Sequence, residues 1–301
     1  MISKHIIAGT IFFGISLFTF ITCSSISEEK PSDKNEVLLN WKIPDGEKIE
    51  YETVMEEIGE STFEVELGGL FEKMKDSDSD DKKNDFFNKL KQIQSNTSFK
   101  TTLSNSEIFQ DVVDIEMSAT PKESDSEDDS EIAKFQSMLT GIVLRGTVNK
   151  DGTLHSFWVK SEQKNLLSMF FELPKGPVSR GDTWTLGNIN LIGNDQNYIC
   201  QEAIKENVVT LTDIVDRDGE TIAIVDYNIR EYVSGDFVTP SFSGKSGEST
   251  KTVMEFQYSA QGEFSVDQGK WVSLTGILSL DASGVMTSTQ KQKFSLVEVK
   301  N

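Results

Sequence analysis

From Trp41 onward, apolar side chains fall at every second position in run after run, and many of the runs end in a tight-turn signal. Ile49, Tyr51 and Thr53 share one face, Phe63, Val65 and Leu67 another, and Met254, Phe256, Tyr258 and Ala260 a third. A period of two belongs to a strand with one face buried and one face wet, so these segments predict antiparallel strands. The turns agree. Val148-Asn149-Lys150-Asp151-Gly152 separates Ile142–Thr147 from Thr153–Val159, and Val215-Asp216-Arg217-Asp218-Gly219 separates Val208–Ile214 from Thr221–Ile229. Val266-Asp267-Gln268-Gly269 and Leu280-Asp281-Ala282-Ser283-Gly284 follow. Asp-Gly supplies the positive φ that a tight reversal demands, so neighbouring strands pair as hairpins. The consecutive apolar run Ile222-Ala223-Ile224-Val225 predicts a central strand covered on both sides.

Three short helices are expected among the strands. Phe86, Phe87, Leu90 and Ile93 form one helical face behind Asp85 as N-cap; Ile132, Phe135, Met138 and Leu139 form a second between Ser130 and Gly141. Leu166, Leu167, Phe170 and Phe171 form the third, which Pro174 stops. The fold class is therefore mainly β with some helix (α+β): a curved antiparallel meander or open half-barrel with about three short helices. Residues 37–141 read as an N-terminal β-rich half with two acidic loops, and 142–301 as a C-terminal antiparallel half. The halves are expected to share one continuous sheet or to form two packed half-barrels.

The acidic loops are Asp76–Asp81 and Glu123–Asp129, both Ser/Asp-rich and each leading into a Phe-bearing segment. An EF-hand needs Gly at its sixth position and Glu at its twelfth. From Asp76 those positions hold Asp81 and Phe87, and from Asp125 they hold Ser130 and Gln136, so both loops fail the pattern. They read as solvated connections.

Ahead of the strands stands a different kind of segment. Met1-Ile2-Ser3-Lys4-His5 precedes an apolar run from Ile6 to Ile21, then Thr22-Cys23-Ser24-Ser25. A charged start, a short apolar core and a small-residue end form an export signal over residues 1–22. The core of about 16 residues is shorter than the ~20 that span a bilayer, which leaves a retained transmembrane anchor as the weaker reading. Phe20-Ile21-Thr22-Cys23 resembles the lipobox of bacterial lipoproteins, in which the cysteine becomes the lipidated first residue. Leu is usual where Phe20 stands, and Gly, Ala or Ser where Thr22 stands. The resemblance implies acylation of Cys23, membrane attachment through the N-terminal lipid, and residues 23–36 as a polar tether. Ser24 after the cysteine, in place of Asp, implies sorting to an outer membrane. Ordinary cleavage near Ser24 or Ser25, giving a secreted chain, is the alternative.

Charge narrows the partners. The chain carries a formal net charge of −20, and without residues 1–22 it has 28 basic against 49 acidic residues, a net −21. Such a chain is repelled by nucleic acid and by anionic headgroups. With only Cys23 and Cys200 present, no disulfide framework exists, and Cys200, within Tyr198-Ile199-Cys200, is expected to be a buried structural thiol. His155 is the one histidine left after the leader, so a His-based metal site or a Ser-His-Asp triad has little to draw on. No Gly-x-Ser-x-Gly, GxGxxG or Walker sequence occurs. No catalytic residue, metal ligand or cofactor is assigned, and the chain reads as non-enzymatic. Paired carboxylates of a hydrolase carry no signal among 49 acidic residues.

The most distinctive phrase is Leu173-Pro174-Lys175-Gly176-Pro177-Val178-Ser179-Arg180-Gly181-Asp182-Thr183-Trp184. Pro174 ends a helix, Pro177 stiffens the crossing, and Gly181-Asp182 turns the chain so that Trp184 reaches the sheet. With the export signal and cysteine, the long meanders and this "LP…GDTW" segment over residues 142–230, the chain resembles a loosely defined class of uncharacterised bacterial envelope lipoproteins. It is similar, more distantly and in element order alone, to the half-barrel of the lipoprotein-carrier proteins, where a curved sheet wraps helices around an apolar space. The implied function is a cell-envelope lipoprotein that binds an apolar ligand or an envelope protein on its sheet. A structural or surface-exposed lipoprotein for host or assembly contacts is the second expectation, and a carboxylate-dependent hydrolase the third.

Overall fold

The computed structural model describes residues 36–59, 62–65, 97–121, 141–157, 161–187, 189–192, 197–238 and 249–299. In chain order the elements are β1 (Lys48–Glu57), β2 (Thr62–Val65), β3 (Thr97–Asn105), β4 (Val112–Pro121), β5 (Gly141–Asn149), β6 (Leu154–Phe157), α1 (Ser161–Phe171), β7 (Thr183–Trp184), β8 (Tyr198–Arg217), β9 (Glu220–Val238), β10 (Ser249–Ser265), β11 (Lys270–Ser283) and β12 (Met286–Glu298).

All strands join one antiparallel sheet in the order β6-β5-β4-β3-β1-β12-β11-β10-β9-β8-β7, with β2 paired to β12 off this path. The sheet is open, because β6 and β7 end the path without pairing to each other. Two meanders, β3 to β6 and β7 to β12, are joined by β1, which pairs with β3 on one side and β12 on the other. The boundary between residues 141 and 142 falls at the start of β5, and the sheet runs through it without a break.

The expected hairpins form at each turn signal. Between β8 and β9, Asp218 and Gly219 both hold positive φ, 57° and 83°, which the two-residue reversal requires. The Asp216 carboxylate accepts the Gly219 amide at 3.0 Å. The last turn differs in detail: β11 continues through Asp281–Ser283 and reverses at Gly284-Val285. The Gly181-Asp182 turn also forms. Leu211 N–H donates to Asp182 O at 3.0 Å, Gly181 N–H donates to Leu211 O at 2.7 Å, and Thr183-Trp184 then pairs with β8.

One face of the sheet carries the core. Ile49, Tyr51 and Thr53 of β1 are buried on it together, as their alternation predicts. In β9, Ala223 and Val225 are fully buried and Ile222 nearly so, while Ile224 is half-buried, so the consecutive apolar run is covered unequally on its two sides. Trp41, Phe264 and Trp271 meet edge to face, with centroids 5.5 and 5.1 Å apart. The Trp271 indole lies over Gly262, where a Cβ would come within 2.6 Å of the ring. Only glycine admits the indole at that distance.

Three sequence expectations need correction or restriction. Among the described residues there is one helix, α1, not about three; the faces at Phe86–Ile93 and Ile132–Leu139 lie outside them. The signal, Cys23, the tether to residue 35 and both acidic runs also lie outside the described residues. Cys200 is exposed, not buried. The reason is geometric: Ile199–Glu206 project past the core and are exposed on both faces, with Ile199 at 59%, and the ladder to β9 bulges between Cys200 and Glu202.

Candidate functional site

The site is organised by α1. Leu167, Ser168, Met169, Phe170 and Phe171 are all buried, so the C-terminal half of the helix is enclosed on every side. The last carbonyls of a helix have no partner within it, and here water does not reach them. Two indoles supply the donors. Trp41 Nε1 donates to Phe171 O at 3.0 Å and Trp271 Nε1 to Phe170 O at 2.7 Å. Leu173 N–H donates to Gly152 O in the β5–β6 turn. The end of α1 is thus pinned to the core face by aromatic side chains from two separate segments.

The opposite side of α1 is polar by design of its spacing. Asn165, Ser168 and Glu172 fall three and four residues apart and face Gly187 and Asn190. Asn165 exchanges hydrogen bonds with Asn190, 2.7 Å to its carbonyl and 3.0 Å from its amide. Ser168 donates to Gly187 O at 3.2 Å, and the Glu172 carboxylate accepts Gly187 N–H at 2.8 and 2.9 Å. This strap is tied to the sheet as well. Buried Glu231 accepts the Leu191 and Ile192 amides at 2.7 and 2.8 Å and pairs with Lys205 at 2.5 Å. Asn207 bonds both backbone groups of Leu186.

Between α1 and the core face lies a cavity of about 250 Å³. Leu166 and Phe170 of α1 form one wall; Thr53 and Met55 of β1, Phe99 of β3, Met117 of β4, Val143 and Leu144 of β5, Leu278 of β11 and Phe294 of β12 form the rest. None of these residues is charged, and Thr53 alone carries a hydroxyl. The wall from β5 depends on a bulge. Met117 pairs with Leu144 and Ser118 with Ile142, leaving Val143 unpaired between them. A bulge places two successive residues toward one side, so Val143 and Leu144 both line the cavity while Ile142 is 53% exposed. Tyr258 stacks on Phe294 beside the cavity, centroids 5.4 Å apart at 14°. Burial pushes the Tyr227 and Tyr258 hydroxyls well above the ordinary tyrosine range, so both stay neutral.

Other candidates fall elsewhere. His155 is exposed on β6; its ring sits 4.9 Å from that of Phe109, and Nδ1 is 3.1 Å from Thr147 Oγ1. Trp184 packs partly buried against the core as an anchor. Among the described residues no group of three His, Cys, Asp or Glu side chains is placed to hold a metal ion, and no helix is long and apolar enough to cross a membrane. The sequence identified the α1 face but not the β5 side of the cavity. The only signal there was the uninterrupted apolar run Ile142-Val143-Leu144, which breaks the two-residue period.

A scan against protein-family models finds no match to this chain, and a search of curated proteins finds none either.

Proposed function

We propose that this chain is a non-enzymatic bacterial envelope lipoprotein, exported through residues 1–22 and anchored by a lipid on Cys23. Its half-barrel-like sheet holds an apolar ligand between α1 and the core face. The observation that carries the reading is the uncharged pocket of about 250 Å³ between α1 and the sheet, open on one side and walled by apolar side chains except at Thr53. A concave, mostly apolar site with a single polar group is the usual form of a small-molecule pocket.

Size limits the ligand. An apolar cavity of ~150 Å³ takes up a benzene-sized molecule, and pockets for drug-sized ligands run to ~300–1,000 Å³. This cavity therefore suits a single ring or a short stretch of alkyl chain. At about 0.8 kcal/mol per buried methylene, a six-carbon segment contributes about 5 kcal/mol before the cost of immobilisation. That is a weak, reversible grip.

Two measurements test the reading. Val143→Trp fills the cavity from the bulge. It is expected to weaken uptake of a small alkylbenzene at least tenfold in an NMR titration, with the thermal midpoint held or raised. Undiminished uptake places the ligand elsewhere. For the anchor, mass spectrometry of the native N-terminus is expected to find an acylated Cys23 as the first residue; a chain starting at Met1 or Ser24 overturns that part.

An envelope protein as the bound partner is the second reading. It has the support of Ile199, Ile204 and Val208, exposed along β8 by 59%, 38% and 41%.

A further inference from the structure

The cavity is apolar except at one point. Thr53 lines it, is 6% exposed, and its Oγ1 is buried without a hydrogen-bond partner. Its backbone is paired on both sides, opposite Phe99 of β3 and Leu296 of β12, which keeps its side chain on the core face. A valine of the same shape would satisfy the apolar surroundings. A threonine there leaves a buried hydroxyl unsatisfied, which is unfavourable unless something else completes it.

We infer that Thr53 is the polar contact of the ligand site, and that the ligand is an uncharged molecule with an apolar body and one oxygen that hydrogen-bonds the Thr53 hydroxyl. The class is an alcohol, ketone or ester, and not a carboxylate. No basic side chain lines the cavity among the described residues, so a carboxylate would enter without a counter-charge, and burying an unpaired charge is far more costly than burying a hydroxyl. Hydrocarbons fit but leave Thr53 unsatisfied. The inference rests on the cavity reading above and adds the chemistry of its occupant.

The test uses three ligands of matched size, ethylbenzene, 2-phenylethanol and phenylacetate, titrated into the full chain by NMR. Three proteins are compared: wild type, Thr53→Val, and Thr101→Val. Thr101 is the control, a fully buried core-face threonine whose hydroxyl is also unpartnered but which does not line the cavity. In Thr53→Val the affinity for 2-phenylethanol relative to ethylbenzene is expected to fall about tenfold, the worth of one hydrogen bond to a buried group. Ethylbenzene itself is expected to bind as well or better. Thr101→Val leaves the ratio unchanged, and phenylacetate binds wild type at least tenfold more weakly than the alcohol. Without ligand, Thr53→Val is expected to melt about 2–4 °C higher, which shows that the variant folds. An unchanged ratio in Thr53→Val, with ethylbenzene still bound, overturns the role of Thr53 and leaves the apolar site standing. Tight phenylacetate binding overturns the restriction to uncharged ligands. Failure of both neutral ligands to bind wild type removes the site and this inference together.

Discussion

Trp271→Ala is expected to lower the unfolding free energy by about 3–5 kcal/mol, the range for truncating a large buried aromatic. The indole is fully buried, lies over Gly262, and meets Phe264 edge to face at 5.1 Å. Its removal leaves a void at the centre of the core and strips Phe170 O of its donor. Trp271→Phe separates the two effects. The smaller ring keeps most of the packing but not the N–H, so the helix carbonyl is left buried and unpaired at about 1–3 kcal/mol. Urea denaturation of both variants measures this. If Trp271→Phe matches wild type, the indole bond to α1 contributes nothing and the anchoring of the helix end must come from packing alone.

Glu231→Ala is expected to cost about 2–3 kcal/mol, the scale of hydrogen bonds to a charged acceptor, and to do so locally. The carboxylate holds the Leu191 and Ile192 amides and the Lys205 ammonium. Removing it leaves two backbone donors without an acceptor beneath the strap, on the side of α1 away from the cavity. Hydrogen exchange is expected to accelerate at Leu191 and Ile192 well before the β9–β10 ladder changes, because segments open in separate units. Glu231→Gln, which retains an acceptor oxygen, recovers part of the protection. Uniform acceleration across the sheet would mean that Glu231 supports the whole core and not the strap.

How much of this was legible depends on the range of the interactions. Strand pairing from β8 to β12 is written in local chemistry, since Asp218-Gly219 and Gly269 set their turns from neighbouring residues. The core face of β1 follows from Ile49, Tyr51 and Thr53, and the apolar side of α1 from Leu167, Phe170 and Phe171. The burial of the polar side was not readable. Asn165, Ser168 and Glu172 have the pattern of a wet face and are covered by a strap whose partners follow later in the chain. The roles of Trp41 and Trp271 depend on carbonyls 130 and 101 residues away. The bulge at Val143 shifts the register by one residue and has no composition signature beyond a broken alternation. For Cys200, apolar neighbours implied burial, but β8 outruns the core it belongs to. The alternation Ile49, Tyr51, Thr53 places Thr53 on the core face, yet the space before it is made by six strands and a helix acting together.

The place of β1 has a temporal consequence. Tyr51 sits opposite Glu298, so the seam that unites the two meanders joins the first and the last of the described strands. A ribosome emitting this chain releases the partner of Tyr51 only 247 residues after Tyr51 itself, at Glu298. Until then the N-terminal strands lack one neighbour and the sheet stays in two pieces. Contacts so far apart along the chain form slowly, so the two meanders wait unjoined for longer than any hairpin within them.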